Sequence, residues 1–313
     1  MRVTLLAGGT GGAKLAHGFA QALDDPADLG VIVNVADDTE RHGLLVSPDI
    51  DTILYTLAGM VDPAQGWGVA GDTFTALAML ERLGEETWFR IGDADLALNV
   101  RRHHLLSQGL SLTDATARLA IALDVATRLL PATDDPVRTR VVTDGGELDF
   151  QDYFVRNRQG DEVRGLRFEG IDAARPTAAV LEALAGAELV VIGPSNPLVS
   201  IGPILAIPGM REALVRSAGR RIGVSGIVAG RAIRGPADRM LGSLGHEVSA
   251  RGVARLYEGL LDTFVIDEAD ADLAPSIGEL GMEVAVLPTI MRSDGERAAL
   301  AAALIQLAGA PRT

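Results

Sequence analysis

A chain of 313 residues with 48% apolar content is long enough to bury a large core, and 22% charged residues exclude a wholly disordered protein. Asp and Glu outnumber Lys and Arg by 42 to 28, and the net charge of −14 argues against a general nucleic-acid or anionic-membrane binder. The absence of cysteine removes disulfides, thiolate nucleophiles and Cys-ligated metals.

Val3–Ala7 reads as a buried strand that runs into Gly8-Gly9-Thr10-Gly11-Gly12, with a helical pattern from Ala13 to about Leu23. The loop misses the dinucleotide fingerprint, because Lys14 stands at the third glycine position. It also misses the phosphate-loop pattern, because Lys14 is followed by Leu15. Two readings stay open. The glycines let backbone N–H groups at a helix start approach a phosphate, with Thr10 and Lys14 assisting, or they make a tight strand–helix turn with a surface lysine. Lys14 is the one lysine among 28 basic residues.

Gly30–Val35 is a second strand, ending in Asn34, Asp37 and Asp38. Asp49-Ile50-Asp51 follows Ser47-Pro48 and precedes a helical run. It fits an N-cap with acids in the first turn, or a carboxylate pair holding magnesium against phosphate oxygens. His42 lies between the two acidic groups, while His103 and His104 belong to a solvated helical face. Tyr55, Trp67, Trp88 and Phe89 suit a planar ligand or a core. From about 55 to 175 the pattern is mostly helical, then polar and strand-like around a Gly145-Gly146 turn. We read this interval as an insertion into a single domain spanning 1–313.

Further buried strands are expected at Glu188–Ile192, Arg221–Ile227, Thr263–Ile266 and Glu283–Leu287, with a terminal helix at Arg297–Ala308. Strands alternating with helices predict an α/β fold, a doubly wound and mainly parallel Rossmann-like sheet. Gly193-Pro194-Ser195-Asn196-Pro197 closes the Glu188–Ile192 run. Ser195, Asn196 and then Ser200 either offer hydrogen bonds to a ligand or form a rigid Asx-type turn. No apolar run reaches membrane-spanning length, and Met1–Arg2–Val3 leads directly into a strand, so a cytoplasmic protein is expected.

Taken in order, Leu6–Leu15, Val33–Asp38, Ser47–Thr52, Pro131–Pro136, Phe150–Asp152, Gly193–Pro197, Ser200–Ile204 and Gly235–Asp238 resemble the 2-phospho-L-lactate transferase family of coenzyme F-420 biosynthesis. Ser-Pro-Asp-Ile-Asp-Thr and Gly-Pro-Ser-Asn-Pro are the most specific blocks. The resemblance implies a phosphoryl transfer to Fo (7,8-didemethyl-8-hydroxy-5-deazariboflavin). Its ribityl hydroxyl attacks the phosphorus that carries a three-carbon acid in a guanosine diphosphate diester, and GMP leaves. It further implies a guanylyl site at the glycine loop, Asn34, Asp37, Ser195, Asn196 and Ser200. Asp49 and Asp51 are implied as catalytic carboxylates and magnesium ligands, Asp51 and Arg90 as Fo contacts, and the assembly as a homodimer. Asp93-Ala94-Asp95-Leu96, Asn99 and Ser225-Gly226-Ile227-Val228 depart from the family pattern. Lactate, enolpyruvate and glycerate therefore all stay open as the acid. Two rivals are a related nucleotide-sugar-binding regulator and a nicotinamide oxidoreductase; the first lacks the Ser-Pro-Asp-x-Asp block and the second is disfavoured by the failed fingerprint.

Overall fold

The computed structural model describes residues 1–310. Short apolar runs form the strands β1 (Val3–Ala7), β2 (Leu29–Val33), β3 (Arg128–Pro131), β4 (Leu189–Ile192), β5 (Arg220–Val224), β6 (Thr263–Ile266) and β7 (Glu283–Val286). They make one sheet in the spatial order β7-β6-β5-β4-β1-β2-β3, with every neighbouring pair parallel. All residues of β1, β2, β4 and β6 are buried, as in a sheet covered on both faces. The chain order reverses between β1 and β4. That switch point opens a crevice beyond the strand carboxyl ends, where ligands bind in open α/β sheets.

The helices that matter for the site are α1 (Gly9–Ala22), α2 (Pro48–Leu57), α3 (Asp93–Ser107), α4 (Leu112–Ala122) and α5 (Asp294–Gly309). A reciprocal capping box between Ser293 and Glu296 starts α5. One core layer gathers Phe19, Ile50, Ile53, Leu54, Leu105, Leu119, Leu300 and Leu304 against one face of the sheet. The opposite layer gathers Leu130, Val180, Ile204, Leu214, Tyr257 and Phe264.

Two expectations change. The interval 55–175 is not a continuous insertion, because Arg128–Pro131 pairs with β2 as the edge strand of the central sheet. Pro131 is tolerated there because an edge strand leaves one side of its ladder unpaired. The helical segments and Arg138–Glu169 therefore lie on either side of β3. The latter interval holds a three-stranded antiparallel sheet of Arg138–Thr143, Gly146–Asp149 and Val163–Glu169, as its polar pattern predicts. The first helix starts at Gly9, four residues before the expected Ala13. No described helix is long and apolar enough to cross a membrane.

Candidate active site

The loop after β1 is held by its neighbours. Gly8 caps α1 without a side chain, and no acidic residue of the helix's own lies in its first turn. Ser195 Oγ accepts from Gly8 N at 3.1 Å and donates to Gly8 O at 2.8 Å, so the loops after β1 and β4 are stitched across the switch point. Asp49 Oδ1 accepts from Gly9 N at 2.7 Å. Thr10 and Gly11 follow with N–H groups that have no acceptor among the described residues, and both are half-exposed. Glycine is required by this packing. A Cβ on Gly8 would lie 2.5 Å from Asp49 Oδ2, and one on Gly11 would lie 2.4 Å from the Pro194 carbonyl.

Asn34, at the end of β2, fixes the same point from the other side. Its Nδ2 donates to Asp49 Oδ2 at 2.9 Å and to the Val199 carbonyl at 3.3 Å, while its Oδ1 accepts from Ala36 N. Asp37 and Asp38 are buried behind it. Burial, and then the Asp49 charge, push the Asp37 carboxyl well above its ordinary value. Burial raises Asp38 to about 8 despite the nearby Arg138 and Arg102, and its Oδ1 has no partner while Oδ2 accepts from Ser47 Oγ. Burial also raises Asp49 to about 6, opposed by its bonds to Asn34 and Gly9.

Asp51 turns away from Asp49. Both its oxygens are taken by the guanidinium of Arg102, a side chain with no exposed surface that also donates to Asn99 Oδ1 at 2.6 Å. Asn99 Nδ2 donates to Asp95 Oδ1 at 3.1 Å, and Tyr55 OH donates to the same oxygen at 2.8 Å. Burial raises Asp51 in spite of Arg102; burial and the Asp51 charge raise Asp95 to about 6. The pairing of Asp49 with Asp51 on one cation is thus corrected: successive helical residues are about 100° apart, so the two carboxylates diverge. The carboxylate that feels Asp49 is Asp37.

Other sequence candidates divide. Ser200 packs against Gly8 and joins the site. Asn196 makes an Asx-type turn, its Oδ1 accepting from Leu198 N at 2.9 Å, so its side chain shapes the loop. Lys14 Nζ donates to the Met291 carbonyl at 3.0 Å, bracing α1 against the segment after β7. Arg90 is exposed over the Phe74 ring at 4.3 Å and makes no contact with Asp51 among the described residues. His42 occupies a hairpin turn at φ 51° and pairs with Glu85. Trp88 and Phe89 flank the Arg41 guanidinium, and Tyr55 is buried. His103 and His104 are exposed, as expected.

Arg102 stands in a run that reads as solvated, yet it is fully buried. Asp95, Asn99 and Arg102 fall at i, i+4 and i+7, a polar stripe on one helical face that marks Arg102 as inward-facing. A cavity of about 220 Å³ opens beside Asp38 and is lined by Leu45, Leu106, Leu112, Asp135 and Arg138 among others.

Residues 3–279 match the family model described as 2-phospho-L-lactate transferase CofD. The chain belongs to the CofD family. The 2-phospho-L-lactate transferase of Methanosarcina mazei is 37% identical over 302 residues, covering 96% of this chain and 99% of that protein. The phosphoenolpyruvate transferase of Streptomyces griseus is 40% identical over 314 residues, covering 98% of each. A solved structure of a UPF0052-family protein from Bacillus halodurans superposes with a TM-score of 0.63 at 18% identity over 97% of this chain and 98% of its own, a likeness of fold. Membership of the CofD family makes the chain a transferase.

Proposed function

We propose that this CofD-family transferase moves a phospho-three-carbon-acid group from a guanosine diphosphate diester to the ribityl hydroxyl of Fo, releasing GMP, in coenzyme F-420 biosynthesis. One observation carries the reading: Gly8–Gly12, Asp49 and the Ser195 loop meet at the β1/β4 switch point. The Thr10 and Gly11 N–H groups are then the donors for diphosphate oxygens. Asp51, held in one orientation by Arg102, is the carboxylate for the incoming hydroxyl. Arg90, on the exposed approach to α3, is the contact for the deazaflavin. Such a transfer depends on positioning and charge neutralisation more than on covalent chemistry.

Magnesium suits the donor set. Asp37 and Asp49 are buried, hard oxygen donors within each other's field, and Asp49 already occupies the helix N-terminus where a phosphate would come to lie. No three acidic or histidine side chains among the described residues are grouped to hold a metal unaided. A magnesium bound by one or two carboxylates together with substrate phosphates would need no such group. When bound, it neutralises charge on the phosphoryl oxygens. The acid is left open, since relatives named for lactate and for enolpyruvate are similarly distant.

The test is incubation of the purified chain with Fo, magnesium and each guanylylated phosphoacid, read by mass spectrometry. GMP and a phosphodiester of Fo are expected, and Asp51→Asn, assayed below its melting temperature because it leaves Arg102 buried without its carboxylate, should abolish turnover. No GMP from any donor, or saturable binding of a UDP-sugar in place of Fo, would remove the transferase reading. Sedimentation of the same sample tests the proposed homodimer.

A further inference from the structure

We infer that Arg234 is a diphosphate ligand of the donor and neutralises the phosphate that departs as GMP, an inference that rests on the transfer reading above. Arg234 follows the small hairpin of Ile227–Val228 and Arg231–Ala232, which leaves the carboxyl end of β5. Both oxygens of Asp270 anchor that hairpin at Ala229 N, at 3.1 and 3.0 Å. Gly226 packs it onto the Pro194–Ser195 loop. The guanidinium is thus presented from a braced element toward the strand ends.

Its position is given by Gly66. A Cβ there would lie 2.6 Å from Arg234 Nη1 and 3.6 Å from the Thr10 methyl group, so Arg234 and Thr10 meet across the bare backbone of Gly66. Gly66 has a φ of +71°, a conformation that favours glycine. The loop around it is tied by Asp62 N to Gly68 O, Gly66 N to Asp62 O and Ala70 N to Met60 O. Three separate elements therefore converge where α1 begins.

The charge at this point is uncommitted. Arg102 is paired with Asp51, and Arg297 with Asp294. Arg234 is exposed and has no hydrogen-bond or ion-pair partner among the described residues. Lys14 is held below its ordinary value first by burial and then by the charges of Arg297 and Arg234, against Glu296. A donor diphosphate on the Thr10 and Gly11 amides would meet this guanidinium, whose planar fork matches phosphate oxygens. In the transfer, the hydroxyl oxygen of Fo forms a bond to the phosphorus bearing the acid. The bond from that phosphorus to the bridging oxygen breaks, its electron pair leaves on the GMP phosphate, and the hydroxyl proton passes to a carboxylate and on to water. Arg234 faces the oxygens on which that charge gathers.

Calorimetry with GDP and with Fo tests this on the wild type, Arg234→Ala and Arg234→Lys, alongside turnover. Arg234→Ala should weaken GDP at least about 10-fold, leave Fo affinity and melting temperature unchanged, and lower kcat about 10²–10³-fold. Arg234→Lys, keeping charge without the fork, should fall between. GDP affinity within twofold of wild type in Arg234→Ala, or no GDP binding by the wild type, overturns the inference. If the wild type binds GDP yet releases no GMP from any donor, the transfer reading fails. The GDP affinities then decide Arg234's role as a diphosphate ligand on their own.

Discussion

Replacing Arg102 with methionine isolates the buried ion pair on which Asp51 depends. The substitution strips both Asp51 oxygens of their partner and removes the donor to Asn99 Oδ1, in a place where Arg102 is fully covered and Asp51 is 4% exposed. An uncompensated buried charge costs about 3–5 kcal/mol, which for a chain of this size is a fall of roughly 5–8 °C in melting temperature. The sign with pH follows from Asp51. Burial already holds its carboxyl above the ordinary value against the pull of Arg102, and without that pull the value rises further. Between the unfolded value near 4 and the folded one, the folded state keeps a proton that the unfolded state has lost, so stability falls as pH rises. The loss in Arg102→Met should therefore be smaller at pH 5 than at pH 7.5. Adding Asp51→Asn removes the stranded charge and should recover roughly half of it or more. Paired thermal and denaturant melts of the three variants provide the measurement. A loss below about 1 kcal/mol, or one equal at both pH values, would refute the buried-pair account.

Two further outcomes follow from packing and burial. Gly11→Ala should destabilise by about 1–3 kcal/mol, because its Cβ would lie 2.4 Å from the Pro194 carbonyl; Gly278→Ala, with open space around it, should be neutral in the same melt. Asp38→Asn should flatten the pH dependence of stability. Burial puts the folded carboxyl at about 8, so ionisation opposes folding by about 1.4 kcal/mol per pH unit from near pH 4 to near pH 8. Wild-type and variant curves running parallel over pH 5–7.5 would contradict this.

The parallel sheet was legible because β4 is wholly apolar and β1 and β6 carry a single Thr each, all three ending at Gly or Asp, and such runs need covering on both faces. The edge strand β3 was not. Its Arg-Leu-Leu-Pro continues an apolar sequence begun in α4, and only pairing with β2 makes it a strand. The start of α1 is illegible in the sequence for a related reason. Four glycines lower helix propensity over Gly8–Gly12, and the turn forms because Ser195 and Asp49 take the first two N–H groups from 187 and 40 residues away. Arg102 sits in Arg-Arg-His-His, a run that looks solvated, while its neighbours at 101, 103 and 104 are indeed exposed. Its burial depends on Asp51, a contact that composition does not reveal.

The spacing of the acidic pair is better understood as a coupling than as a chelate. Asp49 and Asp51 project from the first turns of α2 in directions about 200° apart. One side chain closes the start of α1 through Gly9, and the other enters the Arg102–Asn99–Asp95 chain on α3. Ile50, between them, is buried in the same core layer as Phe19 and Leu105, so α2 has little freedom to shift without disturbing α1 or α3. A displacement of α2 would move the turn that opens α1 and the Arg102-bound carboxylate together. On the proposed transfer, which would place a hydroxyl in line with a phosphorus, such a rigid link would keep the two halves of the reaction in register.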